Sequence, residues 1–203
     1  MGLAVGTLRV PMDIRAEGRL AFPPERVFVA YRDDILELLP YLGNVRNIVV
    51  RSRKVEGPIV EMVNDWTGGG DIPAALRAFL SDSMLSWTDY ATWNQDTLRC
   101  DWRIQTGTFS EAVQSAGQNA FESDGAGGSY LRVRGALEID PKKLRGIPGF
   151  LAGKIARTLE GFLVDKIQAN LVDTVTSLGT YMQKKAATSA ERPLAEGAES
   201  SRT

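Results

Sequence analysis

Apolar residues between positions 148 and 182 recur at strides of four or three, which is the spacing of one face of an α-helix. They are Leu151, Ile155, Leu159, Leu163, Ile167, Leu171, Val175, Leu178 and Met182. A helix over this range would be about 50 Å long. Each stride of four overshoots one turn by about 40°, so the apolar stripe winds around the helix. Because a twisted sheet can follow such a stripe, the pattern favours a helix packed against a sheet over a straight coiled coil.

Much of the preceding chain alternates between apolar and polar residues with the period of two that marks β-strands. Strands are predicted over residues 12–22, 45–55, 59–66, 84–93, 98–106, 112–123 and 129–139. Pro23 and Pro24 end the first strand, and the spacing from Val27 to Leu39 predicts two short helices that break near Asp33. The predicted fold is therefore α+β: a curved antiparallel sheet of about seven strands wrapped around a long C-terminal helix, with two short helices after strand 1. A sheet curled around a helix in this way commonly encloses a cavity.

The segment from Gly68 to Leu80 interrupts this rhythm. Three consecutive glycines give the backbone freedom, and a following short helix would present Leu76, Phe79 and Leu80 to an apolar surface. Two interpretations remain open: a gate to the cavity, or a structural helix that plugs the open end of the sheet. A phosphate-binding loop is rejected, because no Gly-Lys-Ser/Thr sequence follows the glycines.

The composition fits one folded domain. We expect this domain over residues 1–183 and a disordered polar tail over residues 184–203, where apolar residues are few. The 24 basic and 25 acidic residues nearly cancel, so no nucleic-acid-binding surface is indicated. No apolar run reaches the ~18 residues of a membrane span, and the N-terminus lacks the features of a secretory signal. A cytoplasmic location is therefore expected.

The chain contains no histidine and a single cysteine, Cys100. Catalytic systems that pair a histidine with a serine or cysteine nucleophile are thereby excluded, and so is a zinc site built from histidine and cysteine. We expect no metal and no cofactor. Asp, Glu, Lys, Tyr, Ser and Arg remain available for catalysis.

Four tryptophans, at positions 66, 87, 93 and 102, fall in or beside the predicted strands. The alternation places Trp87, Asp89 and Trp93 on one face of their strand, and Cys100 and Trp102 on one face of the next. The other face of each strand is polar, so the tryptophan face is predicted to point inward. The rings would line an apolar pocket with N–H groups that orient a ligand, or they would simply fill the core.

Asp89 is the one acid predicted among inward apolar residues. Burial would raise its pKa and make it a candidate ligand anchor or proton donor. The alternatives are a strand register that places it in water, or a buried acid that is hydrogen-bonded to the backbone. Asn119 and Ser115 are further inward polar candidates. Two basic clusters, at residues 51–54 and 142–145, could contact anionic lipid head groups or lie free in solvent.

The segment Leu20-Ala21-Phe22-Pro23-Pro24-Glu25-Arg26-Val27-Phe28 resembles the opening of START-like (SRPBCC) proteins: an apolar strand, then Pro-x-Glu-x-Val-aromatic. The strand-rich middle and long terminal helix extend this resemblance over residues 12–183. The superfamily includes lipid-transfer domains, pollen-allergen-type carriers and polyketide aromatase/cyclases. The resemblance implies the helix-grip fold and a ligand-binding cavity, but it does not imply one particular reaction.

The leading hypothesis is a non-catalytic carrier or sensor that binds a lipid or other hydrophobic small molecule between the sheet and the terminal helix. The predicted ligand-binding residues are Ile14, Gly18, Leu76, Phe79, Trp87, Asp89, Trp93, Trp102, Asn119, Val133, Ile155, Leu159 and Leu163. One alternative is a polyketide-type aromatase/cyclase or hydratase that uses the same cavity, with Asp89 or Tyr90 as proton donor. Another is a protein-interaction module. The partners considered are the hydrophobic ligand and a transiently contacted membrane surface.

Overall fold

The computed structural model describes residues 11–69, 72–80 and 85–196. Seven strands form one antiparallel sheet in the order β1-β7-β6-β5-β4-β3-β2. The strands are β1 (Met12–Leu20), β2 (Val45–Glu56), β3 (Ile59–Gly68), β4 (Ser86–Asn94), β5 (Arg99–Thr106), β6 (Val113–Ser123) and β7 (Ser129–Ile139). The helices are α1 (Pro24–Asp33), α2 (Ile35–Leu38) and α3 (Gly149–Glu196). The predicted α+β architecture of a curved sheet around a terminal helix is thereby confirmed.

Helix α1 covers one end of the inner face of the sheet. Pro24 occupies its first turn, where the missing N–H group costs nothing. The fully buried Phe28 ring makes edge-to-face contacts with Trp93 and Phe121, each with 5.3 Å between ring centroids. This aromatic cluster anchors α1 to β4 and β6 and closes that end of the molecule.

Helix α3 packs on the sheet at two separate places. Near its start, Ile155 and Leu159 belong to an apolar cluster with Ile14 of β1 and Leu137 of β7. Farther along, Leu178 belongs to a second cluster, which contains Phe28 and Trp93. Between these two places, α3 crosses the inner face of the sheet and leaves space between the helix and the strands.

The C-terminal part of α3 is tied to the α1–α2 segment by charged side chains. The Lys185 ammonium donates to Asp34, with an N–O distance of 2.7 Å, and the Tyr181 hydroxyl donates to Glu37. The helix continues through Glu196, although a disordered tail was expected from residue 184. The residues there are mostly good helix formers, and Lys185 adds a tertiary anchor. The division of the chain at residue 183 stays a prediction, and residues 197–203 lie outside the described residues.

The insert between β3 and β4 differs from the prediction. The described part, residues 72–80, forms consecutive turns rather than an α-helix. Its backbone bonds include Leu76 N–H to Pro73 O and Phe79 N–H to Leu76 O, which are the i→i+3 bonds of tight turns. Ile72, Leu76 and Leu80 are nevertheless buried. Gly70, Asp71 and the predicted strand start at Met84 lie outside the described residues.

Candidate functional site

A cavity of about 250 Å³ lies between the inner face of the sheet and α3. Its walls come mainly from β3, β4, β5 and β6, while Leu163, Ile167 and Asn170 of α3 form the opposite side. The insert borders one end through Leu80. The helix thus spans the cavity between its two packing clusters, and the lining is largely aromatic and aliphatic. This composition is typical of sites for small organic molecules.

Trp102 shapes the part of the cavity nearest β6 and β7. Its indole ring lies over Gly117 and Gly135, which are paired across those strands. A Cβ atom at Gly135 would stand 2.7 Å from the ring atom Cη2 of Trp102, and one at Gly117 would also overlap the ring. The Trp102 indole N–H donates to Oδ1 of the buried Asn119 at 2.9 Å. The two glycines therefore provide the space in which this ring lies along the sheet.

A second pair of tryptophans stands near the insert. Trp66 and Trp87 are directly paired across β3 and β4, and their rings stack with centroids 5.7 Å apart. Gly68 lies against the Trp87 ring, where a Cβ atom would be 3.0 Å from ring atom Cζ3. Both rings line the cavity. They form an aromatic wall at the end that the insert borders.

Asp89 and Asn64 form a polar pair one step farther along the same two strands. They are directly opposite each other in the register of β3 and β4, and both line the cavity. Burial raises the pKa of the Asp89 carboxyl to about 7, and a hydrogen bond from the Asn64 side chain limits the rise. The site therefore holds an acid whose charge changes near neutral pH.

The other titratable groups nearest to Asp89 are neutral at physiological pH. Burial, followed by the charge of Asp89, raises the pKa of the Tyr31 hydroxyl far above its usual range. The same two causes raise the pKa of the Cys100 thiol well above 9. Tyr31 shares a hydrogen bond with the side chain of Thr174 on α3. Asp89 is thus the only one of the three groups whose charge changes near neutral pH.

Several polar atoms in the cavity wall have no hydrogen-bond partner among the residues that the structure describes. They are Asn64 Oδ1, Trp66 Nε1, Trp93 Nε1, Thr106 Oγ1, Ser115 Oγ and Asn170 Oδ1. Asn64, Ser115 and Trp93 are each at least nine-tenths buried. Buried polar groups are normally satisfied, and leaving one unpaired costs about 1–3 kcal/mol. A ligand or water with both donors and acceptors would satisfy these atoms.

The cationic side chains at the cavity do not pair with Asp89. The Arg32 guanidinium is bound to Asp33 and to the Gln95 side chain. The Lys166 ammonium lies 5.9 Å from the centroid of the Phe162 ring. Neither charge contributes to the pKa shift of Asp89. Among the described residues, the Asp89 carboxylate has no cationic partner.

The structure brings together seven of the predicted ligand-binding residues. Those that line the cavity are Trp87, Asp89, Trp93, Trp102, Asn119, Leu159 and Leu163. Their part in binding stays a prediction. The inward orientation of the strand faces that carry Trp87 and Trp102 follows directly from the alternation along β4 and β5.

Six other predicted residues lie away from the cavity. Ile14, Ile155, Leu76 and Phe79 pack in one apolar cluster, and Val133 packs in the other. They face the correct side of the sheet or insert, but their neighbours fill the space around them. Gly18 instead lies against the Val175 side chain, so its missing side chain permits the close approach of α3 to β1.

Tyr90 also requires a correction. It lies on the convex face of the sheet, where its hydroxyl donates to Gln105 at 3.3 Å and the Arg103 guanidinium stacks 4.1 Å from its ring centroid. Successive residues of a strand point to opposite faces, so Tyr90 cannot share the cavity with Asp89. Only Asp89 of the two proposed proton donors reaches the site.

Three residues important to the site were missed. Asn64 could have been found from the alternation Val60, Met62, Asn64, Trp66 along β3. Tyr31 and Asn170 lie on helices, and their approach to Asp89 or to the cavity depends on how α1 and α3 pack. No local sequence pattern indicates that packing.

The predicted basic clusters are largely paired with acids. Arg51 binds Asp65, Arg53 binds Asp33, and Arg145 binds Glu111. These ion pairs are what exposed strand and loop residues commonly form. Contact with a membrane surface therefore stays a prediction.

Within residues 11–69, 72–80 and 85–196, no cluster of three or more potential metal-ligating Cys, Asp or Glu side chains was found. In the same part, no helix combines the length and apolar character needed to cross a membrane.

The fold and the cavity define the chain as a helix-grip structure, which is the fold of the START-like (SRPBCC) superfamily. No family model and no curated protein sequence matches the chain. Among solved structures it is similar to TTHA0849 from Thermus thermophilus, with 21% identity, a TM-score of 0.61, and coverage of 86% of this chain and 99% of that one.

It is also similar to the Zhui aromatase/cyclase from Streptomyces sp. R1128, with 13% identity, a TM-score of 0.60, and coverage of 86% and 96% of the two chains. A third similar structure is the di-domain aromatase/cyclase StfQ of the steffimycin pathway, with 13% identity and a TM-score of 0.53. The match covers 86% of this chain and 52% of StfQ. At these identities the similarity establishes the fold.

Proposed function

We propose that this protein binds a lipid or another hydrophobic small molecule in the cavity between the sheet and α3, as a carrier or sensor. The observation that carries the proposal is a cavity of about 250 Å³ whose largely apolar wall contains unpaired polar atoms. Burial of the ligand would supply the affinity, at roughly 25 cal/mol per Å² of apolar surface. The unpaired groups would set its orientation.

Two residues of α3 provide a matched test of this proposal. Leu163 lines the cavity, whereas Val172 on the same helix is exposed. Leu163→Trp should occupy part of the cavity and weaken binding of the neutral fluorescent probe N-phenyl-1-naphthylamine at least tenfold. Val172→Trp adds the same ring outside the cavity and should leave the affinity unchanged. Circular dichroism would establish that both variants are folded.

Absence of saturable probe binding to the wild-type protein would contradict the proposal. Equal affinities for the wild type and a folded Leu163→Trp variant would contradict the cavity as the site. Extraction of the purified protein followed by mass spectrometry gives an independent measurement. A bound hydrophobic compound that is lost in the Leu163→Trp variant and kept in Val172→Trp is the expected result.

Catalysis is a second candidate function, and one observation favours it. Asp89 lines the cavity and has a pKa of about 7, as a general acid or base for cyclisation or hydration requires. In that case Asp89→Asn would abolish turnover of a substrate while the neutral probe still binds. A non-catalytic carrier would show no turnover, either as the wild type or as Asp89→Asn.

A further inference from the structure

We propose that the ligand of this cavity is an amphiphilic amine, with an apolar body and a protonated amino group that binds to Asp89 and Asn64. The inference rests on the proposed binding function and deepens it by naming the chemistry of the ligand head group.

The hydrogen-bonding pattern of the Asn64–Asp89 pair calls for a donor with more than one N–H group. Asn64 uses its amide group to bind the Asp89 carboxylate, which leaves Asn64 Oδ1 buried without a donor. Carboxylate and amide oxygens both accept hydrogen bonds, and an alkylammonium group has three N–H donors. One ammonium could therefore donate to Asp89 and to Asn64 Oδ1 at the same time. A hydroxyl group, with one donor, could satisfy only one of them.

The charge balance of the cavity points to the same head group. A desolvated carboxylate is costly unless a cation pairs with it. Arg32 is already bound to Asp33, and Lys166 stands over Phe162 without affecting Asp89. Because the described residues place an acid here and provide no cation for it, a ligand cation would remove the electrostatic cost. A ligand carboxylate would increase that cost.

The neighbouring aromatic wall suits both parts of such a molecule. The stacked pair Trp66–Trp87 occupies the next inward position along the same strands as Asn64 and Asp89. Tyr31 is close enough to Asp89 for the carboxylate charge to raise its pKa. Aromatic faces attract cations and also bury apolar rings. The head group and the body of the ligand therefore find complementary surfaces side by side.

A ligand series with one body and three head groups tests this inference. The probes are 2-(1-naphthyl)ethylamine, 2-(1-naphthyl)ethanol and 1-naphthylacetate, measured by isothermal titration calorimetry at pH 8. The amine should bind at least tenfold more tightly than the alcohol, and the acetate should bind most weakly. Asp89→Asn should reduce the preference for the amine to less than threefold. The control Asp101→Asn removes the same charge from the exposed face of β5 and should keep the full preference.

The pH dependence provides a second readout. The groups that face Asp89 are Asn64 from β3, Tyr31 from α1 and Cys100 from β5. Lys166 from α3 and Arg32 from α1, which is bound to Asp33, lie on the same cavity wall. Asn64 does not ionise, Tyr31 and Cys100 stay protonated, and Lys166 does not affect Asp89. Below pH 7 the fraction of Asp89 that is ionised falls roughly tenfold for each unit of pH. The preference for the amine over the alcohol should therefore be smaller at pH 5 than at pH 8.

The outcomes separate the two proposals. If the alcohol binds as tightly as the amine, the inference about the head group is overturned and hydrophobic binding stands. If the amine preference persists in Asp89→Asn, another group provides it and the inference is again overturned. If none of the three probes nor N-phenyl-1-naphthylamine binds, the proposed function fails as well.

Discussion

Replacing Asp89 by asparagine should stabilise the protein, and the gain should depend on pH. The carboxyl has a pKa of 3.8 when it is free in water and about 7 in the folded protein. Between these values the folded state holds a proton that the unfolded state releases. The stability of the wild type should therefore fall as the pH rises from about 4 to 7, and should then level off. Asparagine keeps a similar shape and has no charge to bury.

The size of the effect follows from the pKa difference. A shift of about three units at 1.36 kcal/mol per unit corresponds to about 4 kcal/mol at pH 8. This value is an upper bound, since Asp89 is only half-buried and faces a cavity that water can enter. The chain has no histidine, so few other side chains change charge between pH 5 and 8. The pH window is therefore well suited to the measurement.

Urea unfolding followed by tryptophan fluorescence at pH 4.5, 6, 7 and 8 would measure this effect. The difference in unfolding free energy between Asp89→Asn and the wild type should grow with pH and stop growing above about pH 7. The same series with Asp101→Asn, which removes an exposed acid from the neighbouring strand, controls for loss of a negative charge. A difference that stays constant across the whole pH range would refute the reasoning, because it would show that Asp89 titrates alike in both states.

Two further changes test the packing around Trp102. Gly135→Ala should destabilise the protein by about 1–3 kcal/mol, because the added methyl group would overlap the Trp102 ring and the carbonyl oxygen of Ala116. Gly161→Ala, on an exposed and unobstructed position of α3, is its control and should instead stabilise by up to about 1 kcal/mol. Equal effects at the two glycines in thermal unfolding would contradict this account. Trp102→Phe should lower the free energy of unfolding by about 1–3 kcal/mol, because Asn119 Oδ1 loses its hydrogen-bond donor. Adding Asn119→Leu should recover part of that loss, and strictly additive losses in a double-mutant cycle would contradict the hydrogen bond as its cause.

The alternation of apolar and polar residues accounts for most of what was correctly predicted about the sheet. The period of two identified the strands and, on β4 and β5, placed Asp89 and Trp102 on the inner face. The stride of apolar residues likewise identified α3, because one helix face must be buried. These features follow from local geometry alone.

The depth of a residue along the inner face could not be read from alternation. Ile14, Val133 and Trp93 all point inward, yet Ile14 and Val133 fill core clusters and Trp93 also lines the cavity. The difference depends on where α3 touches the sheet and where it does not. That position is set by contacts between residues far apart in sequence, such as Gly18 with Val175.

The insert shows a different limit. Its apolar spacing suggested a helix, but Pro73 and the short length favour successive tight turns. Leu76 is buried in the observed turns, and the predicted helix would also have placed it on an apolar face, so the hydrophobic pattern alone does not distinguish the two conformations.

Charged side chains lie along β1 and β2, the two edge strands of the sheet. These two strands form its edges, and edge strands can recruit strands from other molecules through unpaired backbone groups. Arg51, Arg53 and Lys54 are exposed along β2, as are Arg15 and Arg19 along β1. An incoming strand would have to desolvate several of these charges. The arginines and lysine thus make the addition of a strand at either open edge of the sheet less favourable.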